Sequence, residues 1–86
     1  MNELMGYVTK SSYRMRVIQA MGDEDVMMLF QIAKKSGVLN NHISNTLRQL
    51  REHDLVELIN PEMPRGRLYR LSDNGKKVLN ELEGGI

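Results

Sequence analysis

The stretch LNNHISNTLRQLREHDLV, Leu39 to Val56, decides how this chain is read. Ile43, Leu47 and Leu50 recur at i, i+4 and i+7, the spacing of one buried stripe on an α-helix, with Thr46 at its edge. Asn41, Asn45, Arg48 and Glu52 fall on the opposite face, flanked by His42, Ser44, Gln49 and Arg51. The stripe is ordinary core packing. The opposite face has no structural need for two asparagines, whose helix propensity is below average, so Asn45 in particular invites a functional reading. Val38 and Leu39 are expected to pack across the short turn before this helix, and Asn40 to cap it.

Working toward the N-terminus, Gly37 suits the left-handed residue that closes a helix over 26–36, with Leu29, Ile32 and Ala33 turned inward. Lys34 and Lys35, late on that helix, fit either backbone contacts to a polyanion or partners for the helix C-terminal dipole. Asp23, Glu24 and Asp25 precede it, with Asp25 placed as its cap. An earlier helix begins at Ser11 or Ser12 and runs to about Met21, ended by Gly22. Tyr13, Val17, Ile18 and Met21 share its inner face, and Arg14, Arg16 and Gln19 look outward. Residues 1–10 show no clean periodicity and read as a lead-in segment. Helix, short glycine-containing turn, helix is the helix-turn-helix arrangement.

Working toward the C-terminus, Val56 to Ile59 reads as a strand, and Arg67 to Leu71 as its partner. Between them Asn60-Pro61-Glu62-Met63-Pro64-Arg65-Gly66 must turn, because two prolines and a glycine cannot continue a ladder. Tyr69 and Leu71 alternate with Arg70 and should point inward, leaving Arg70 to pair with Glu57. Ser72 caps a last helix over 73–82 that buries Val78, Leu79 and Leu82, and the tail 83–86 should fray. The whole is an α+β winged helix-turn-helix: a three-helix core, a two-stranded β-hairpin wing and a C-terminal helix. It fills residues 1–86 as a single domain, with no internal repeat, linker or second domain.

Composition is that of a small globular domain: 86 residues, 41% hydrophobic and 27% charged. There is no cysteine, so disulfides and thiolate metal sites are excluded. No apolar run approaches the ~18 residues of a membrane span, and the start lacks a secretory signal, so a cytoplasmic location is expected. Net charge is only +1. Its distribution is uneven: residues 34–77 carry nine basic against five acidic side chains, and the remainder three against six. Positive charge therefore gathers on the half that holds the polar-fronted helix and the arginine-bearing hairpin. Of the methionines, Met21 and one of Met27 or Met28 are expected in the core, and Met1, Met5 and Met63 on the surface.

The segments IAKKSGVLNNHISNTLRQLREHDLV and RGRLYRLSDNGKKVL resemble the winged-helix transcription regulators of the MarR and ArsR type, especially small archaeal ones. The likeness covers about Ser11 to Leu82. It implies a recognition helix over 40–53 lying in the major groove and a wing over 60–67 on backbone or minor groove. The chain departs from the pattern at Asp54, where the family often has glycine; Asp tolerates the left-handed conformation better than most residues. The metal-sensing members use cysteine or histidine clusters. Here cysteine is absent and His42 and His53 lie on different helical turns, so neither a metal site nor a cofactor is expected. The long terminal dimerisation helices of larger relatives are also missing.

On this reading the residues expected to meet double-stranded DNA are Asn40, Asn41, His42, Ser44, Asn45 and Arg48 on the helix, and Arg65, Gly66 and Arg67 on the wing. Asn45 or Asn41 suits adenine, since a carboxamide matches its N6 and N7, and Arg48 suits guanine. Arg65 and Arg67 can pair with phosphates or enter the minor groove. His42 is equally natural as a polar surface residue. No GxSxG, P-loop, HExxH or paired-carboxylate pattern is present, which excludes the common enzyme signatures. The rival to sequence-specific transcriptional regulation is a winged helix that binds protein within a transcription assembly. A homodimer is expected, with candidate surfaces at Leu4, Met5, Tyr7 and Val8 and at Val78, Leu79, Leu82 and Ile86. Operator, target genes, direction of regulation and any effector are not encoded legibly.

Overall fold

The computed structural model describes residues 2–22 and 25–84. In chain order the elements are α1 (Asn2–Thr9), α2 (Ser12–Met21), β1 (Met27–Met28), α3 (Leu29–Ser36), α4 (Asn40–Glu52), β2 (Val56–Leu58), β3 (Leu68–Leu71) and α5 (Asp73–Leu82). Ser11 starts α2 by accepting the Arg14 N–H on its hydroxyl at 3.3 Å. α2, α3 and α4 then pack around Val17, Ile18, Ile32, Ile43, Leu47 and Leu50, each essentially without exposure. These side chains come from the apolar stripes that the helical period marks out. Gly37 ends α3 at φ 74, the left-handed cap expected of it, and its N–H donates to the Ala33 carbonyl.

The strands form one antiparallel sheet in the order β1-β3-β2. Val56 pairs with Leu71, Glu57 with Arg70 and Leu58 with Tyr69, which buries Tyr69 and Leu71 and leaves Arg70 outside. The hairpin expected to have two strands therefore gains a third. Met27 and Met28 pair with Tyr69 and Leu68, so α3 begins at Leu29 rather than near Val26. Backbone pairing to β3 satisfies groups that a longer helix would have satisfied internally, and two methionines fit a strand as readily as a helix. Asp25 is exposed and does not cap α3; Met28 holds the cap position, and its N–H donates to Gln31 Oε1 at 2.8 Å. Asp23 and Glu24, expected to share that role, lie outside the described residues.

Residues 2–9, expected as an irregular lead-in, are helical. Eight residues are too few to hold a helix in water unaided, so tertiary contacts supply the stability. Val8 is fully buried, and Leu4, Met5 and Tyr7 pack on the core beside it. Arg14, expected to look outward, instead anchors this helix. Its Nη1 donates to the Tyr7 carbonyl at 2.8 Å, its Nε donates to Gln49 Oε1 at 3.2 Å, and its guanidinium lies 3.8 Å from the Tyr7 ring centre. His53 stacks on the same tyrosine at 3.6 Å, so α1, α2 and the end of α4 are joined.

The corner after α4 is bolted to the start of α5. Asp54 turns at φ 57, as a left-handed aspartate, and its carboxylate accepts the Asn74 amide at 3.0 Å. Ser72 caps α5 by accepting the Gly75 N–H at 3.0 Å, and its hydroxyl donates to the Asp54 carbonyl at 2.7 Å. Gly75 permits this approach: a Cβ there would sit 2.1 Å from the Leu55 carbonyl oxygen. Val78 and Leu79 complete the core from α5. They and Val8 are buried, which removes them from the surfaces expected to join two copies; Leu4, Met5, Tyr7 and Leu82 are partly covered, and Ile86 lies outside the described residues. Met5 likewise packs on the core rather than standing on the surface, whereas Met21 and Met27 are buried as expected. Of the tail expected to fray, Glu83 caps α5 and Gly84 follows at φ 77; Gly85 and Ile86 are not described.

Candidate nucleic-acid interface

α4 is held by its back. Ile43, Leu47 and Leu50 are buried, and Thr46, expected at the stripe's edge, is buried as well. Its hydroxyl donates to the His42 carbonyl at 2.9 Å, which satisfies the one polar group on that face. The front is open: Asn40, Asn41, His42, Ser44, Asn45, Arg48, Arg51 and Glu52 are all exposed. The cap lies one residue earlier than expected. Leu39 holds the N-cap position without a side-chain bond, Asn40 is the first helical residue, and the Leu39 carbonyl accepts the His42 and Ile43 N–H groups.

The front residues divide into two sets. Asn45 and Arg48 belong together: an Arg48 Nη2 donates to Asn45 Oδ1, and Nη1 pairs with Glu52 Oε2 at 3.0 Å across side chains just over half exposed. Such a pair contributes little to stability at that exposure. It does hold the two side chains in register, and an amide oxygen that accepts one bond can accept a second. His42 stands apart, its ring tilted against Tyr13 of α2 with centroids 5.1 Å apart. The stripe 41, 45 and 48 is thus one continuous polar edge, and His42 borders α2.

The wing is internally braced. Asn60 Oδ1 accepts the Leu68 N–H at 2.7 Å, and its amide donates to the Gly66 carbonyl at 3.1 Å. Its own carbonyl accepts the Met63 N–H at 3.0 Å, and Ile59 N–H donates to Leu68 just below. Gly66 turns at φ 66, where a side chain would be strained. Arg65 and Arg67 are exposed on either side of it, and Arg67 Nε donates to the Met63 carbonyl at 3.1 Å. The Arg67 guanidinium therefore has a fixed stem while its Nη groups are available to an acceptor. Arg70 is committed elsewhere, to Glu57 at 2.7 Å, as the strand register implied.

Sequence reasoning missed Asn60, whose two-sided bond to the loop is visible only once the hairpin closes. Leu39, expected to pack across the turn with Val38, is instead 66% exposed, because Val38 and Ile43 already fill the core there; Phe30, on which the sequence raised no expectation, is 59% exposed beside it. Among the described residues no group of three or more His, Cys, Asp or Glu is placed to hold a metal ion, and no helix is long and apolar enough to cross a membrane.

No family model matches the chain, and no curated protein matches it in sequence. Solved structures match it in shape. One is a MarR-family transcriptional regulator from Silicibacter pomeroyi, with TM-score 0.77 and 21% identity over 96% of this chain and 56% of that one. A second is NadR in complex with 4-hydroxyphenylacetate, with TM-score 0.76 and 17% identity over 96% of this chain and 60% of that one. Ligand-free NadR gives TM-score 0.73 and 16% identity over 86% of this chain and 52% of that one. The chain thus spans between half and two thirds of the length of the structures it matches. It has the α+β winged helix-turn-helix fold of these MarR-family transcriptional regulators.

Proposed function

We propose that this protein is a sequence-specific double-stranded DNA-binding regulator of transcription. In this reading α4 lies in the major groove and the wing over 60–67 lies on the adjacent backbone or minor groove. The observation that carries it is the polar edge Asn41, Asn45 and Arg48, exposed on a helix whose back is fully packed, beside a braced loop that presents Arg65 and Arg67. Helices of this kind offer their N-terminal half to base edges. Asn45, or Asn41, then reads adenine through N6 and N7, and Arg48 reads guanine through O6 and N7. Asn40 and Ser44 border the same edge, His42 meets the groove from the α2 side, and Gly66 lets the wing backbone approach phosphate.

Two copies give this reading its operator geometry, with two α4 helices on half-sites about 34 Å apart. The matched MarR-fold structures are longer than this chain, and the partly covered Leu4, Met5, Tyr7 and Leu82 are the apolar residues nearest the ends of the described fold. A cytoplasmic location follows from the same reading.

The test is a titration of the protein against mixed-sequence duplex at several salt concentrations, with the Arg65→Ala/Arg67→Ala double variant alongside. Each neutralised phosphate contributes about −0.9 to the slope of log affinity against log salt. The double variant should flatten the slope by about two units if both arginines meet phosphate, weakening all sequences alike. Absence of binding at low salt would replace this reading with that of a protein-binding winged helix.

A further inference from the structure

Among the described residues Leu39 and Phe30 are the most exposed of the large apolar side chains, at 66% and 59%. They line one shallow groove with Ala33, Lys34, Gly37 and Asn40, where the turn after α3 meets the start of α4. The structure has no packing use for Leu39. The hydrophobic staple that fixes the entry of a helix joins the residue before the cap to the fourth helical residue. Here those positions are Val38 and Ile43, which are 2% and 0% exposed and already in the core. Leu39 also occupies a cap position where Ser, Asn or Asp would bond an unsatisfied N–H, and it makes no such bond. The chain uses serine for that purpose at α2 and at α5. At the tip of α4 it carries instead an apolar side chain that neither caps nor packs.

We infer that the Leu39–Phe30 shelf recognises the C5-methyl group of a thymine in the major groove. This rests on the DNA-binding reading above. Leu39 immediately precedes Asn40 and Asn41, at the end of α4 that the DNA-binding reading places against the bases. The major-groove base edges offer donors, acceptors and one apolar group, the thymine methyl, and aliphatic or aromatic side chains are what meets it. The polar surroundings favour a nucleic acid over an apolar protein surface: Asn40 and Lys34 also line the groove, an amide and a cation of the kinds that meet a base edge and a phosphate. The shelf thus complements the asparagines, which read hydrogen bonds but cannot distinguish thymine from uracil.

The experiment removes only the methyl. A tight-binding duplex is recovered from a random-sequence pool with the unmodified protein, then resynthesised with deoxyuridine replacing one thymine at a time. Burial of one methyl corresponds to about a fourfold change in affinity. The unmodified protein should lose that factor at one thymine in each half-site and at no other. Leu39→Ser should bind the thymine and uracil duplexes equally while its Tm holds or rises, because serine restores the cap and keeps the variant folded. Uniform tolerance of uracil at every position, or a thymine preference retained by Leu39→Ser, would overturn the inference and leave DNA binding standing. A change in the mass of Leu39→Ser in solution with its thymine preference intact would overturn it too, by showing that the shelf joins copies of the chain. Failure to bind any duplex in the pool would overturn both this inference and the reading it rests on.

Discussion

The starts of α4 and α5 make an instructive pair. Both carry buried apolar stripes, yet their first residues are used in opposite ways. At α5 the first residues bond back to the chain: Ser72 bonds the Gly75 N–H and the Asp54 carbonyl, Asn74 holds the Asp54 carboxylate, and Gly75 lies against the Leu55 carbonyl. At α4 the cap position holds an exposed leucine without a side-chain bond, followed by two exposed asparagines. One end secures the chain to itself. The other leaves bonding capacity and apolar surface directed outward, which is what a helix that inserts into a partner requires. The α5 junction also stands at the far end of α4, so α4 is fixed at its C-terminal end and open at its N-terminal end.

If the comparison is sound, substitutions at the two starts should differ in size and in sign. The largest effect is expected at Gly75. A Cβ placed 2.1 Å from the Leu55 carbonyl oxygen meets backbone rather than a flexible side chain, so Gly75→Ala should lose about 3 kcal/mol of unfolding free energy in urea. A loss below about 1 kcal/mol would mean that the junction yields to a side chain at little cost. Ser72→Ala removes a cap and leaves the Asp54 carbonyl with one partner fewer, and should cost about 2 kcal/mol in the same measurement. Leu39→Ser should move the other way, raising stability by about 0.5–1 kcal/mol, since it adds a cap where none exists. Destabilisation by Leu39→Ser would give that side chain a structural role and collapse the contrast.

A second contrast lies within the arginines. In the sequence Arg14 reads as an outward-facing charge, Arg70 as the partner of Glu57, and Arg65 and Arg67 as the charges of the wing. The fold spends Arg14 on the Tyr7 carbonyl and Gln49, and Arg70 on Glu57, while the wing arginines are exposed at either side of Gly66. Residue type alone could not sort them. Strand register did so for Arg70, because pairing Val56 with Leu71 puts Glu57 opposite it. For Arg14 nothing local could, since its partners come from α1 and α4.

What the sequence by itself determined is the set of elements whose cause is local. The i, i+4, i+7 stripe of α4, the serine caps of α2 and α5, left-handed Gly37 and Asp54, and the proline-rich turn before Gly66 all follow from chemistry within a few residues. With them came the candidate polar edge at Asn41, Asn45 and Arg48. Only the tertiary structure decided the rest. Met27 and Met28 become a strand because β3, distant in sequence, offers a pairing edge. Residues 2–9 become a helix because Arg14 and the His53 stack hold them against α2 and α4. Val8, Val78 and Leu79 prove to be core rather than interface, and Leu39 remains in solvent, because burial depends on which surfaces face one another after packing. Hydrophobic periodicity says which side of a helix is apolar; only the assembled fold says whether that side is covered.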